Sequence, residues 1–110
     1  MALFVVIGLD DQPQSIAKRD SLRPQHRAYV RGDQSRIRFV GPIMNDDNDV
    51  ISGSLYLYEA DTAEQILEWF KDEPFYKAGV YKQFLIRPFE VRKCDIPFTE
   101  LPMTSGGEGR

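Results

Sequence analysis

The residues best suited to chemistry cluster around one side chain, His26, the only histidine in the chain. Arg23 and Arg27 fall within one helical turn of it, and Arg19 falls two turns back. An imidazole beside guanidinium groups can move a proton next to a bound anion, because the ring takes or gives the proton while the guanidinium holds the negative charge. The bland reading is equally concrete. A lone helical histidine is often a surface or packing residue, and arginines at 19, 23, 27 and 31 also make a solvated face. Tyr81 stands near enough in the pattern to reach a pocket, although tyrosines alternating along strands, such as Tyr56 and Tyr58, mostly serve a core or its rim. Arg87 carries the same two readings.

Other chemistries find less support. Cys94 is the only cysteine and reads as an inert free thiol, so no internal disulfide and no covalent mechanism are expected. One histidine and one cysteine give no ligand pair at metal spacing. The acidic run at residues 45–49 lacks the glycine and terminal glutamate of a calcium loop, and reads as a hairpin turn. There is no glycine-rich phosphate loop, and the arginines around His26 suit proton chemistry better than haem ligation. We therefore expect no metal and no cofactor. The net charge of −3 gives no pull toward nucleic acid or an anionic membrane. The apolar run at residues 2–9 has no basic residue before it and is stopped by Asp10 and Asp11. It is too short to span a bilayer and reads as a buried strand, with the cytoplasm as the expected location.

The elements that must position these residues follow from periodicity. A chain of 110 residues, 42% hydrophobic and 28% charged, fits one globular domain. Residues 2–9 form the first strand. Residues 14–31 form a helical segment with sparse apolar members, and Pro24 either bends it or starts a second helix. Residues 32–35 turn, and residues 36–40 alternate as a strand running into Gly41-Pro42. Residues 51–60 form the next strand, with Leu55 and Leu57 opposed to Tyr56 and Tyr58. Asp61 and Glu64 look like a capping box, and Ala63, Ile66, Leu67 and Phe70 mark an amphipathic helix. Residues 75–79 form a short helical turn closed by glycine. Residues 81–91 form the last long strand, where Pro88 demands an edge or a bulge. Residues 94–103 read as one more short extended piece, and residues 104–110 as a frayed end.

The order is β-α-β-β-α-β, an α+β ferredoxin-like fold with a four-stranded antiparallel sheet and both helices on one face. The opposite face, rich in large apolar residues, needs cover, and a second copy of the chain is the economical one.

Several pieces of the chain then carry a resemblance. They are Lys18-Arg19, Leu22-Arg23-Pro24-Gln25-His26, Gly41-Pro42, Gly53-Ser54, Glu73 to Tyr81 as Glu-Pro-Phe-Tyr-Lys-Ala-Gly-Val-Tyr, and Arg87-Pro88-Phe89. In this order and spacing the chain resembles the YciI-like (YCII) family of the dimeric α+β barrel superfamily, over residues 3 to about 91. The resemblance implies a domain over residues 1–92 with an extension over residues 93–110, and a homodimer formed through the sheet faces. It also implies a pocket in which a histidine faces an acid as a catalytic pair. His26 takes the histidine's place. The family's acid before proline is aspartate, whereas here Glu73 holds that position and Asp72 precedes it, so both are candidates and Glu73 is favoured. Arg19 or Arg23 would hold a small anionic organic substrate, with Tyr81 as a further binder. Assigned members of the family act on small ring-derived acids by dehalogenation or isomerisation. The expected function is proton transfer, isomerisation or HX elimination. The alternative is a non-catalytic dimeric module that binds a small ligand or a protein.

Overall fold

The computed structural model describes residues 2–33 and 36–96. Its elements are β1 (Ala2–Asp10), α1 (Gln14–Arg31), β2 (Ile37–Met44), β3 (Ile51–Ala60), α2 (Ala63–Phe70), α3 (Pro74–Lys77) and β4 (Tyr81–Pro88). The four strands form one antiparallel sheet in the order β2-β3-β1-β4. This is the ferredoxin-like α+β arrangement expected from the pattern. Pro88 lies on β4, an outer strand of that sheet, where a missing donor costs no central ladder bond.

Period-2 alternation divides the strand residues between two faces. Phe4 and Val6 of β1 and Tyr56, Tyr58 and Ala60 of β3 are buried beneath the helices together with Ile66 and Phe70 of α2. The register sets Val6 opposite both Tyr56 and Ile86, so one layer of the core crosses three strands. The residues between them, Val5, Ile7, Leu55 and Leu57, stay half-buried on the other face, and Leu9 and Leu85 there are exposed. In one chain that face is a continuous apolar surface. Among the described residues no helix is long and apolar enough to cross a membrane.

Local differences from the sequence pattern have physical causes. Pro24 neither ends nor splits α1, which runs unbroken over eighteen residues. The cap of α2 sits one residue later than the pattern suggests. Thr62 accepts from the Gln65 amide, and Gln65 reaches back to the Asp61 amide, so Thr62 and Gln65 play the parts read for Asp61 and Glu64. Leu67 is 39% exposed because Trp69 occupies the inner side of α2, packed on Tyr29, Tyr56, Tyr58 and Phe70. β2 continues through Gly41-Pro42 to Met44, and β4 ends at Pro88 rather than at 91. Residues 89–96 have no regular structure. The remainder of the extended piece read over 94–103, and the end at 104–110, lie outside the described residues.

Candidate active site

The inner face of α1 is polar. Ser15, Arg19 and His26, spaced at helical period, are its buried residues, while Ile16 faces outward at 44% exposure. A helix built this way contributes little hydrophobic burial. What it contributes is a row of polar groups facing the interior.

At one end of the row stands the histidine. His26 Nδ1 lies 2.6 Å from Glu73 Oε2, with both side chains essentially fully buried. Glu73 is also the N-cap of α3. Its Oε2 accepts from the Phe75 amide at 3.0 Å and its Oε1 from the Tyr76 amide at 3.1 Å. Two backbone N–H groups and the His26 ring nitrogen thus converge on one carboxyl group. A carboxylate held so accepts a hydrogen bond from Nδ1–H, the tautomer in which Nε2 is the basic lone pair of the neutral ring. Phe75 stacks on the imidazole at 4.0 Å with only 11° between planes, which fixes the ring plane as Glu73 fixes its rotation. Asp72 takes no part in this contact; it is exposed and borders a surface cleft with Leu22, Gln25 and Lys77.

Two turns earlier Arg19 is 2% exposed and tightly tied. Its Nε and Nη2 donate to the two oxygens of Asp10 at 2.7 and 2.9 Å, and Nη2 donates also to Ser54 Oγ at 2.9 Å. Burial acts to lower its pKa, but the Asp10 hydrogen bond and the charges around it win, and the pKa is raised. The guanidinium carbon lies 4.9 Å from the Phe75 centroid and 5.8 Å from that of Tyr81, so Phe75 touches both the imidazole and the guanidinium. The Tyr81 hydroxyl donates to Ser54 Oγ at 3.0 Å. Burial, and after it the nearby Glu73 charge, push the Tyr81 phenol pKa up, so it remains a donor. Arg23, half-buried, pairs with exposed Asp20 through Nη1 at 3.1 Å. A cavity of about 260 Å³ opens beside Arg19 and Arg23, walled by Ile16, Val50 and Ile51 with Asp20 and Asp49 at its rim. His26 does not line it.

Three members of this group were given no chemical part in the sequence, Asp10, Ser54 and Gly8, and Tyr56 was weighed there as core or rim. Gly8 pairs with both Ser54 and Phe84, and a Cβ on it would come within 2.6 Å of the Tyr81 ring, so glycine is what lets Tyr81 lie flat on β1 and reach Ser54. The Gly53-Ser54 pair was visible as a piece of family pattern, but its chemical use depends on strand register. Among the described residues, no cluster of three or more potential ligands could hold a metal ion.

Comparison with known proteins agrees with this architecture. Protein YciI from Escherichia coli is 32% identical over 95 residues, covering 80% of this chain and 97% of that protein. An uncharacterised protein from Haemophilus influenzae is 26% identical over the same shares. Among solved structures, the 5-chloro-2-hydroxyhydroquinone dehydrochlorinase TftG from Burkholderia phenoliruptrix, in complex with 2,5-dihydroxybenzoquinone, superposes with a TM-score of 0.71. It is 24% identical, with 80% of this chain and 93% of that one covered, and it shares the fold. The family pattern of the YCII-related domain matches residues 3–90, and the chain belongs to that family.

Proposed function

We propose that this chain is a small cytoplasmic enzyme, active as a homodimer, that performs acid–base chemistry on a small organic molecule carrying or developing negative charge. The observation that carries the reading is the buried 2.6 Å contact between His26 Nδ1 and Glu73 Oε2. Glu73 orients the ring and stabilises the imidazolium that forms when Nε2 takes a proton. Arg23, the more exposed of the two arginines beside the cavity, meets the substrate's charge, while Arg19 shapes the inner wall and Tyr81 braces Ser54 behind it. In an HX elimination the base removes a proton from carbon, the C–H electron pair becomes the new double bond, and halide leaves with the bonding pair. The likeness to a dehydrochlorinase supports this class of reaction, since that protein combines the same fold with a small ring ligand. The apolar sheet face supports the dimer, since Leu9 and Leu85 are exposed there and Val5, Ile7, Leu55 and Leu57 are only half-buried.

The experiment is a screen of chlorinated hydroxyhydroquinones and small enolisable acids, reading chloride release and deuterium uptake from heavy water. Loss of a positioned general base costs about 10²–10⁴-fold, so His26→Gln should lose the activity by that factor. An unchanged His26→Gln enzyme, or a wild type inert toward the whole panel, ends the proposal. One observation favours the competing reading of a non-catalytic binding module: the cavity is lined by Arg19 and Arg23 but not by His26. On that reading His26→Gln leaves ligand binding intact and there is no turnover to lose.

A further inference from the structure

Four buried side-chain atoms have no hydrogen-bond partner among the described residues: Ser15 Oγ, Arg19 Nη1, Arg23 Nε and the Tyr56 hydroxyl. Each such group has given up its hydration with nothing in return when left unpaired. Three of them belong to successive turns of α1. The fourth is on β3, two residues along the buried face from Ser54, the hydroxyl that Arg19 Nη2 reaches.

Arg19 is the most informative. A guanidinium has five N–H groups. The side-on pair, Nε–H and one Nη2–H, is spent on the two oxygens of Asp10, and the second Nη2–H on Ser54. Both of the forks with which an arginine grips a carboxylate are therefore used. Only Nη1 remains, and it can meet one oxygen but cannot clasp two. The charge argument agrees. Asp10, whose side chain is fully buried, already balances Arg19, so a carboxylate in the resting substrate gains little there. An oxygen that turns negative only as a proton leaves carbon gains more, because that interaction strengthens on the way to the transition state.

We propose that Arg19 Nη1 and the Tyr56 hydroxyl form a two-donor site for a single substrate oxygen, a carbonyl, enol or phenol oxygen and not a carboxylate, with Asp10 and Ser54 as positioning residues that hold Arg19. This rests on the acid–base reading above and names the part of the substrate that the site recognises. When the base takes the proton, the C–H pair forms the C=C bond and the carbonyl π pair moves onto oxygen, where the two donors meet it. Tyr56 stays protonated throughout, since burial holds its pKa well above the ordinary phenol value.

The test uses two probes that differ in this one respect, para-fluorophenol and para-fluorobenzoate, titrated against the full chain by fluorine NMR. The phenol should bind more tightly. Tyr56→Phe and Ser54→Ala should each weaken it about tenfold, the cost of losing one hydrogen bond to a charged or positioned group. Ser54→Thr, which keeps the hydroxyl, should restore it, and benzoate should respond to none of these changes. Tighter binding of benzoate, binding of neither probe, or phenol binding indifferent to Tyr56→Phe overturns the proposal. His26→Gln separates this failure from that of the enzyme reading. Tyr56-dependent phenol binding beside a proton-exchange rate that His26→Gln does not alter sinks the enzyme and keeps the site. The reverse pattern sinks the site and keeps the enzyme.

Discussion

Replacing Glu73 by Gln should keep the tautomer of His26 and take the charge from beside it. The carboxylate accepts three N–H groups: His26 Nδ1 at 2.6 Å, Phe75 N at 3.0 Å and Tyr76 N at 3.1 Å. An amide of the same shape has one acceptor oxygen and two donor hydrogens. Turned with its oxygen toward His26, it would set its NH₂ against the Tyr76 amide, two donors facing each other at the start of α3. Turned the other way, its oxygen keeps only the Tyr76 amide, and its NH₂, in the place of Oε2, faces both Nδ1 and the Phe75 N–H. Each orientation sets the NH₂ against one backbone amide, so the cap does not choose between them, and the first wins because it leaves the His26 proton in place. His26 then keeps its proton on Nδ1. The loss of one charge-assisted hydrogen bond costs about 1.5–3 kcal/mol and weakened capping about another 1, partly offset because a neutral amide is cheaper to bury. A net loss of about 2–4 kcal/mol lowers the melting temperature of a domain this size by roughly 10–20 °C. Long-range ¹H–¹⁵N correlation spectra read the tautomer directly at a pH where the ring is neutral, and a single histidine needs no assignment. The expected result is Nδ1–H in both the wild type and Glu73→Gln, with proton-transfer activity reduced because the imidazolium formed at Nε2 loses its counter-charge. An Nε2–H wild type, or a variant whose proton moves to Nε2, would refute the reasoning.

Four further outcomes are expected. Gly8→Ala drives a methyl into the Tyr81 ring at 2.6 Å, and should cost about 1–3 kcal/mol in chemical denaturation and detach Tyr81 from Ser54. Phe75→Ala removes the ring that contacts both His26 and Arg19, and should cost about 3–5 kcal/mol and broaden the His26 signals in proton NMR. The wild type is expected to run as a dimer by light scattering and Leu57→Asp, on the half-buried sheet face, as a folded monomer; a charged variant that still dimerises rules out that face as the interface. Stability should fall at high pH. The phenol pKa values of Tyr56, Tyr58 and Tyr81 are raised, chiefly by burial, so the neutral phenols' contribution is complete below the ordinary value near ~10 and is lost as pH rises through their folded-state values. Tyrosinate absorbance should therefore rise together with unfolding, and Tyr56→Phe should remove part of that alkaline dependence.

The sheet was legible because its signal is local. Alternation in β3 divides Tyr56 and Tyr58 from Leu55 and Leu57, and the pairing register keeps that division across three strands. Helix α2 was legible for the same reason, through Ile66 and Phe70, although which side of Leu67 stayed dry depended on where the Trp69 ring lay. Helix α1 was harder to read. Its buried face is Ser15, Arg19 and His26, so an apolar stripe could not mark it, and Arg19 is indistinguishable by composition from the arginines that follow it. The His26–Glu73 contact joins residues 47 apart, and only the resemblance offered that pairing. Ser54 and Asp10 were out of reach because their meeting with Arg19 depends on which strands are neighbours.

The polar face of α1 also bears on why the site takes the form it does. A helix that buries Ser15, Arg19 and His26 gives up much of the hydrophobic gain that normally docks a helix on a sheet. Its docking depends instead on satisfying those groups: Arg19 on Asp10 and Ser54, His26 on Glu73, and Phe75 packed against both. Two of these partners, Asp10 and Ser54, are on strands, and the other two, Glu73 and Phe75, are at the start of α3. The groups that fasten the helix are therefore the groups that would do the chemistry. A substitution at Asp10, Ser54 or Glu73 should move stability and activity together, whereas Leu57→Asp should act on assembly and leave the fold of the single chain intact. Measuring melting temperature and turnover across both sets separates a fastened catalytic helix from a purely structural polar core. In the latter case stability would fall at Asp10, Ser54 and Glu73 with no activity present to follow it.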